Sequence, residues 1–234
     1  MTIKHHAFDD RPIIRARAWR FEGNRLFGLL GAVILLILAS PFPEGQGVGD
    51  FALVLMFTGV LVAAVYAASG RLWTFTVALS LALPWLFLMW VHPVWDGGTS
   101  DIISSALLVA LCSFVLGLVL VRVLTATSVG FDEVCGGIAV YLLLAIVWAM
   151  CFAMLEAFRP GSFGLDGERP ELVWNDLLYF SLTTITTLGY GDISPVSAVA
   201  RIWASFEAAT GSLYLAVLIA RLVSAWRPAE QGGA

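Results

Sequence analysis

Apolar runs of roughly membrane-crossing length follow one another along this chain with little between them, at residues 26–39, 51–68, 72–94, 102–124, 134–158 and 197–226. A bilayer hydrocarbon core of about 30 Å takes about 20 apolar residues of helix. A soluble globule cannot hide six such stretches, because a large share of any folded surface faces water. The residue balance agrees: 59% of the chain is apolar and 13% charged, where soluble domains average about 45–50% and about 25%. A soluble enzyme, a disordered chain and a nucleic-acid binder are excluded. The chain reads as an all-α membrane protein.

Charge placement sets the number of crossings. Of 13 Lys and Arg, ten (Lys4, Arg11, Arg15, Arg17, Arg20, Arg25, Arg71, Arg122, Arg221 and Arg227) fall on one side if the chain crosses six times. The other side keeps Arg159, Arg169 and Arg201 and most of the acids. The positive-inside rule then predicts six spans in the cell membrane, both termini cytoplasmic and residues 159–196 outside. The first run lacks a small-x-small cleavage pattern and is read as a retained helix. Cys112, Cys135 and Cys151 lack metal-ligand spacing and read as small core residues. Before the first run, residues 11–21 suit a basic amphipathic helix on the inner headgroups or, equally, a solvated tail.

Between the fifth and sixth runs lies a polar loop followed by an apolar piece, residues 173–187, too short to span and too apolar for a free loop. It suits a re-entrant half-helix, which a membrane tolerates only where protein or a water-filled cavity surrounds it. The text there reads Tyr179-Phe-Ser-Leu-Thr-Thr-Ile-Thr-Thr-Leu-Gly-Tyr-Gly-Asp192. Its core, Thr187-Leu188-Gly189-Tyr190-Gly191, flanked by Thr186 and Asp192, closely resembles the selectivity-filter signature of the tetrameric P-loop potassium channels. Leu188 replaces the usual valine, a packing change that leaves carbonyl chemistry alone.

That resemblance implies a function and a site. Carbonyls from Thr187, Leu188, Gly189 and Tyr190 stand in for the hydration shell of K+, with the Thr187 hydroxyl as innermost ligand. Consecutive carbonyls reach one axis only if ordinary and left-handed dihedrals alternate, which Gly189 and Gly191 permit. Tyr190 braces the loop from outside, and Asp192 at the outer mouth attracts cations. Trp174 to Thr186 forms the pore helix, with Asn175 and Asp176 near its start and its C-terminal partial charge aimed at the ion. One chain supplies one filter strand, so a homotetramer follows, with permeant potassium and no other cofactor, and membrane lipids as its remaining partners.

The resemblance continues past the filter through Pro195 and Arg201 to Gly211, which reads equally as a hinge or a close-packing position. Ala208, Ser212, Leu215, Ile219 and Val223 share one helical stripe, and the resemblance makes this the cavity lining, with a gate at Leu215 or Ile219. Two departures mark the filter's support. Tyr179-Phe180 stands where small bacterial channels have Trp-Trp, and Thr183 stands where they have Glu. Glu207, deep in the last run, is expected to bond Thr183 or Thr184, the alternative being a passively buried protonated side chain.

The expected layout is a cytoplasmic segment 1–25, a four-helix membrane domain 26–127, a pore domain 128–228 and a tail 229–234. The fourth run carries a single basic residue, Arg122. Steep voltage gating needs several charges, at about 2.3 kcal/mol per charge per 100 mV, so that mechanism is not expected. No regulatory domain is expected after Trp226. Pro84 is expected to kink the third run, and His92 near its outer end reads as interfacial. A weakly selective cation channel of the same fold and a potassium transporter subunit are the competing readings. No Ser/His or metal-binding pattern supports an enzyme.

Overall fold

A computed structural model of the chain describes residues 25–41, 57–60, 62, 72–91, 98–126, 130–165 and 172–225. The elements run α1 (Arg25–Ala39), α2 (Leu72–Val91), α3 (Gly98–Thr125), α4 (Phe131–Phe158), β1 (Phe163–Leu165), α5 (Trp174–Ile185), β2 (Ile193–Pro195) and α6 (Ala198–Ala225). Three of them contain stretches long and apolar enough to cross a membrane: Ser105–Thr125, Phe131–Phe158 and Ala198–Ser224. α1 and the Thr76–Trp85 part of α2 are shorter apolar helices. Residues 57–60 and 62 of the second apolar run are helical. The rest of that run, the basic segment 11–21, His92 and the tail 229–234 lie outside the described residues. α2 remains helical through Pro84.

The start of α4 anchors two helices at once. Gly130 is extended, and its N–H donates to Glu133 Oε2 at 2.8 Å, an acid reaching back over the first turn. The neighbouring Asp132 turns instead to α1, where its Oδ1 accepts from Leu26 N at 3.1 Å and Phe27 N at 3.0 Å. A carboxylate at these otherwise unpaired N–H groups caps α1 from another element. α1 then lays Leu26, Leu29, Val33 and Leu36 into the core, a buried stripe at helical spacing.

Small residues let the helices converge on α4. A Cβ on Gly136 would stand 2.7 Å from Leu26 Cδ1 and 2.9 Å from Val123 Cγ2, so this glycine admits α1 and α3 together. One position on, a Cβ on Gly137 would stand 2.8 Å from Leu218 Cδ1 of α6, and Tyr214 donates to the Gly137 carbonyl at 2.7 Å. The cysteines are free, Cys112 and Cys135 buried and Cys151 half-buried.

The opposite end of α4 is tied to α6 through the short sheet. After Phe158 the Glu156 carboxylate collects the N–H groups of Gly161, Ser162 and Phe163 at 2.6, 3.0 and 3.2 Å, turning the chain back. β1 pairs antiparallel with β2, Phe163 opposite Pro195 and Leu165 opposite Ile193. This bracket sets the exit of α4 beside the entrance of α6, with α5 and its following loop held between them.

Candidate functional site

α5 begins at an extended Val173, whose N–H donates to Asp176 Oδ2 at 3.0 Å. The acid expected near the helix start therefore acts from the first turn, reaching back to the residue before the helix. Leu177, Ser181 and Ile185 lie four apart on a buried face. At its C-terminal end the helix passes straight into the glycine-containing loop. Thr187 N donates to Thr184 O at 2.9 Å, and Leu188 N and Gly189 N both donate to Thr183 O, at 2.9 and 3.1 Å.

Along that loop the backbone alternates. Thr187 has φ 59°, Gly189 51° and Gly191 85°, while Leu188 and Tyr190 keep ordinary negative values. A Cβ on either glycine would meet nothing within 4 Å in this chain, so the dihedral, and not crowding, calls for glycine. Thr187 adopts the left-handed region despite a branched Cβ, a costly conformation of the kind that persists where the surroundings impose it. Residues 186–191 are exposed on the single chain, Tyr190 at 68%.

The far end of the loop is braced by one carboxylate. Asp192 Oδ2 accepts from Tyr179 Oη at 2.8 Å, and Oδ1 accepts from Ile193 N at 2.9 Å. The Tyr179 ring stacks on Tyr190, with centroids 6.4 Å apart and planes 4° from parallel. The phenol's hydrogen bond, with help from the Ile193 N–H, holds the Asp192 carboxyl below the usual carboxylate range. Asp192 thus spends both oxygens on the loop's own geometry while keeping its charge at the rim.

The other expected support residues divide, Thr183 and Thr184 holding the loop through their carbonyls and Phe180 and Glu207 lying away from it. Phe180 turns away from the loop into a cluster with Phe152 and Phe163, centroids 5.3 and 5.2 Å away. It supports α5, not the glycine loop directly. Thr183 donates to Phe180 O at 3.0 Å, and Thr184 serves through its carbonyl. Glu207 bonds neither threonine. It is fully buried, and its Oε1 lies in a short hydrogen bond with the Ser181 hydroxyl, which also bonds Ala145 O of α4 at 2.7 Å. The reason is rotational: Thr183 is two residues from Ser181, which places its side chain on a different face of α5.

Gly211 faces the end of α5. A Cβ there would stand 2.5 Å from Ile185 Cγ1 and 2.7 Å from Ile185 O, so close packing accounts for this glycine, and α6 runs unbroken through it. The same Ile185 carbonyl accepts the Tyr141 hydroxyl at 2.9 Å. Ser212, Leu215 and Ile219 lie on an exposed part of α6, the serine bonding back to Ala208 O at 2.9 Å. Ser181, Tyr141 and Tyr214 were missed in the sequence. Ser181 carried a signal, a lone polar residue on an otherwise apolar helix face. The two tyrosines carried none, because their partners are backbone carbonyls.

An α5 half-helix running into a loop of alternating dihedrals, held between two apolar helices, defines a membrane pore-loop protein. Comparison with known proteins carries this further. Residues 138–227 match the family model described as "Ion channel". The chain is 31% identical over 111 residues to protein LctB of Bacillus caldotenax, covering 45% of this chain and 81% of that one. It is 32% identical over 66 residues to the potassium channel protein kcv of Paramecium bursaria Chlorella virus 1, covering 26% and 69%. It is 35% identical over 75 residues to the inward rectifier potassium channel Kirbac3.1 of Paramagnetospirillum magnetotacticum, covering 32% of this chain and only 22% of that one. No solved structure matches. The chain belongs to the P-loop potassium channel family.

Proposed function

We propose that this protein conducts potassium passively and selectively through a filter formed by Thr187, Leu188, Gly189, Tyr190 and Gly191. The observation that carries the reading is the alternation of φ at Thr187, Gly189 and Gly191. Such a backbone turns successive carbonyls toward one side, the arrangement needed to replace the water a cation sheds. Removing that water is costly, so a single ligand is not enough and the oxygens must be fixed in advance. The Tyr179–Asp192 bond and the anchoring of Leu188 and Gly189 to Thr183 O support such a fixed loop.

The assembly is a homotetramer around the filter axis. The outward exposure of residues 186–191 and of Ile202, Phe206, Leu213, Val217, Ile219 and Val223 on α6 supports this, since apolar surface of that extent calls for a partner or lipid. Each subunit crosses the cell membrane six times with cytoplasmic termini. Residues 26–127 form a membrane domain without gating charges and 128–228 the pore domain, flanked by the cytoplasmic segment 1–25 and the tail 229–234. Leu215 and Ile219 line the inner pore. Potassium is the permeant species, and no other cofactor is invoked.

The test is bi-ionic flux from proteoliposomes. The wild type is expected to pass potassium well ahead of sodium, and Gly189→Ala to lose that preference together with the current. Equal potassium and sodium flux in the wild type would favour a weakly selective cation channel, and flux untouched by Gly189→Ala would remove the filter assignment.

A further inference from the structure

The hydroxyl of Ser181 is placed between two oxygens that both accept. Ala145 O, a backbone carbonyl of α4, lies 2.7 Å from it, and Glu207 Oε1 of α6 lies closer still. A serine hydroxyl has one hydrogen to give, and a carbonyl has none. If Glu207 were a carboxylate, one of these two contacts would set lone pair against lone pair at hydrogen-bond distance. Only one arrangement supplies a hydrogen to each: Ser181 donates to Ala145 O, and the carboxyl donates to Ser181 Oγ.

The surroundings point the same way. Glu207 is 0% exposed within its own chain. Its other oxygen, Oε2, has no hydrogen-bond partner. An unpaired carboxylate in that position is among the costliest groups to bury, whereas the carbonyl oxygen of a neutral acid is far less so. The titratable groups within its field are Tyr141 and Cys151, both on α4 and neutral in their ordinary state, and the group packed against it from α5 is Ser181. Among the described residues no cation bonds it.

We propose that Glu207 is a neutral hydrogen-bond donor, the head of a relay Glu207→Ser181→Ala145 that cross-links the inner helix, the pore helix and the outer helix. It acts as a positioning residue. Ser181 lies two residues before Thr183 and three before Thr184, whose carbonyls hold the N–H groups of Thr187, Leu188 and Gly189. The relay therefore fixes the rotation of α5 about its axis, and with it the height of the loop that follows. The positioning role rests on the filter reading above, while the proton assignment does not.

The experiment is infrared difference spectroscopy on the full-length channel in liposomes with 13C-labelled glutamate, paired with flux. The wild type is expected to show a protonated-carboxyl C=O stretch at the high-frequency end, where carbonyls without a donor absorb. Glu207→Gln should remove that band and Ser181→Ala should shift it. Gln keeps a donor toward Ser181 and should retain the wild-type potassium-to-sodium flux ratio. Glu207→Ala should lower it. No band lost in Glu207→Gln, or a band unmoved by Ser181→Ala, would overturn the relay whatever the flux. A Gln variant as impaired as the Ala variant would overturn the positioning role. Should Glu207→Ala fail to fold, Ser181→Ala stands in for it in the flux comparison.

Discussion

At the level of single residues, the loop depends on a few side chains with closely defined neighbours. Gly211→Ala puts a methyl 2.5 Å from Ile185 Cγ1 and 2.7 Å from its carbonyl, and backbone cannot give way as a side-chain tip can. Overpacking of this kind costs about 1–3 kcal/mol. The expected outcome is a lowered Tm of the purified channel, and an unchanged Tm would contradict the close approach. Asp192 gives a pH prediction. Its carboxyl titrates below the ordinary range because the ionised form accepts from Tyr179, so the brace is complete above about pH 4, the unperturbed value for Asp. It is lost only as acidity carries the pH through the lowered value. Potassium flux should therefore stay flat on outer acidification to about pH 4, and Tyr179→Phe should move the fall-off to higher pH. A fall-off at the same pH in both proteins would argue against the hydrogen bond.

Elements are joined end to end by polar contacts rather than by apolar packing alone. At the far end of α6, Arg221 donates from Nε to Val123 O at 3.1 Å and from a terminal nitrogen to Ala126 O. These carbonyls close α3, where a helix leaves acceptors unpaired, and a cation there also suits the helix dipole. Arg221→Gln should loosen α6 from α3, with a loss of about 1.5–3 kcal/mol per charged hydrogen bond before solvent screening reduces it. Hydrogen exchange at the last turn of α3 measures it, with faster exchange expected and unchanged protection counting against the contact. The helices themselves were readable from their apolar runs: the fifth and sixth runs, 134–158 and 197–226, became Phe131–Phe158 and Ala198–Ala225. The links between them were not readable. Asp132 capping α1, Glu156 gathering three N–H groups and Arg221 on α3 all pair a side chain with backbone, and backbone leaves no trace in a residue pattern.

For the whole molecule, the site was legible to unequal depth. The glycines of the loop announced their left-handed φ because no other residue tolerates it freely. Thr187 did not, since its positive φ is imposed by what surrounds it and runs against its own preference. Glu207 was legible as an anomaly, a carboxyl in an apolar helix. Its partner was not, because that depends on which face of α5 meets α6 after packing. The single chain leaves residues 186–191 and much of α6 uncovered, and in the proposed tetramer three further copies close that surface. Native mass spectrometry of the detergent-solubilised channel should give four chains, and a stable monomer or dimer would contradict the assembly. The most direct test of the central claim is anomalous diffraction from crystals grown with thallium in place of potassium. A column of peaks on a fourfold axis is expected, level with the carbonyls of Thr187, Leu188, Gly189 and Tyr190. Peaks elsewhere, or a loop that faces no shared axis, would contradict it.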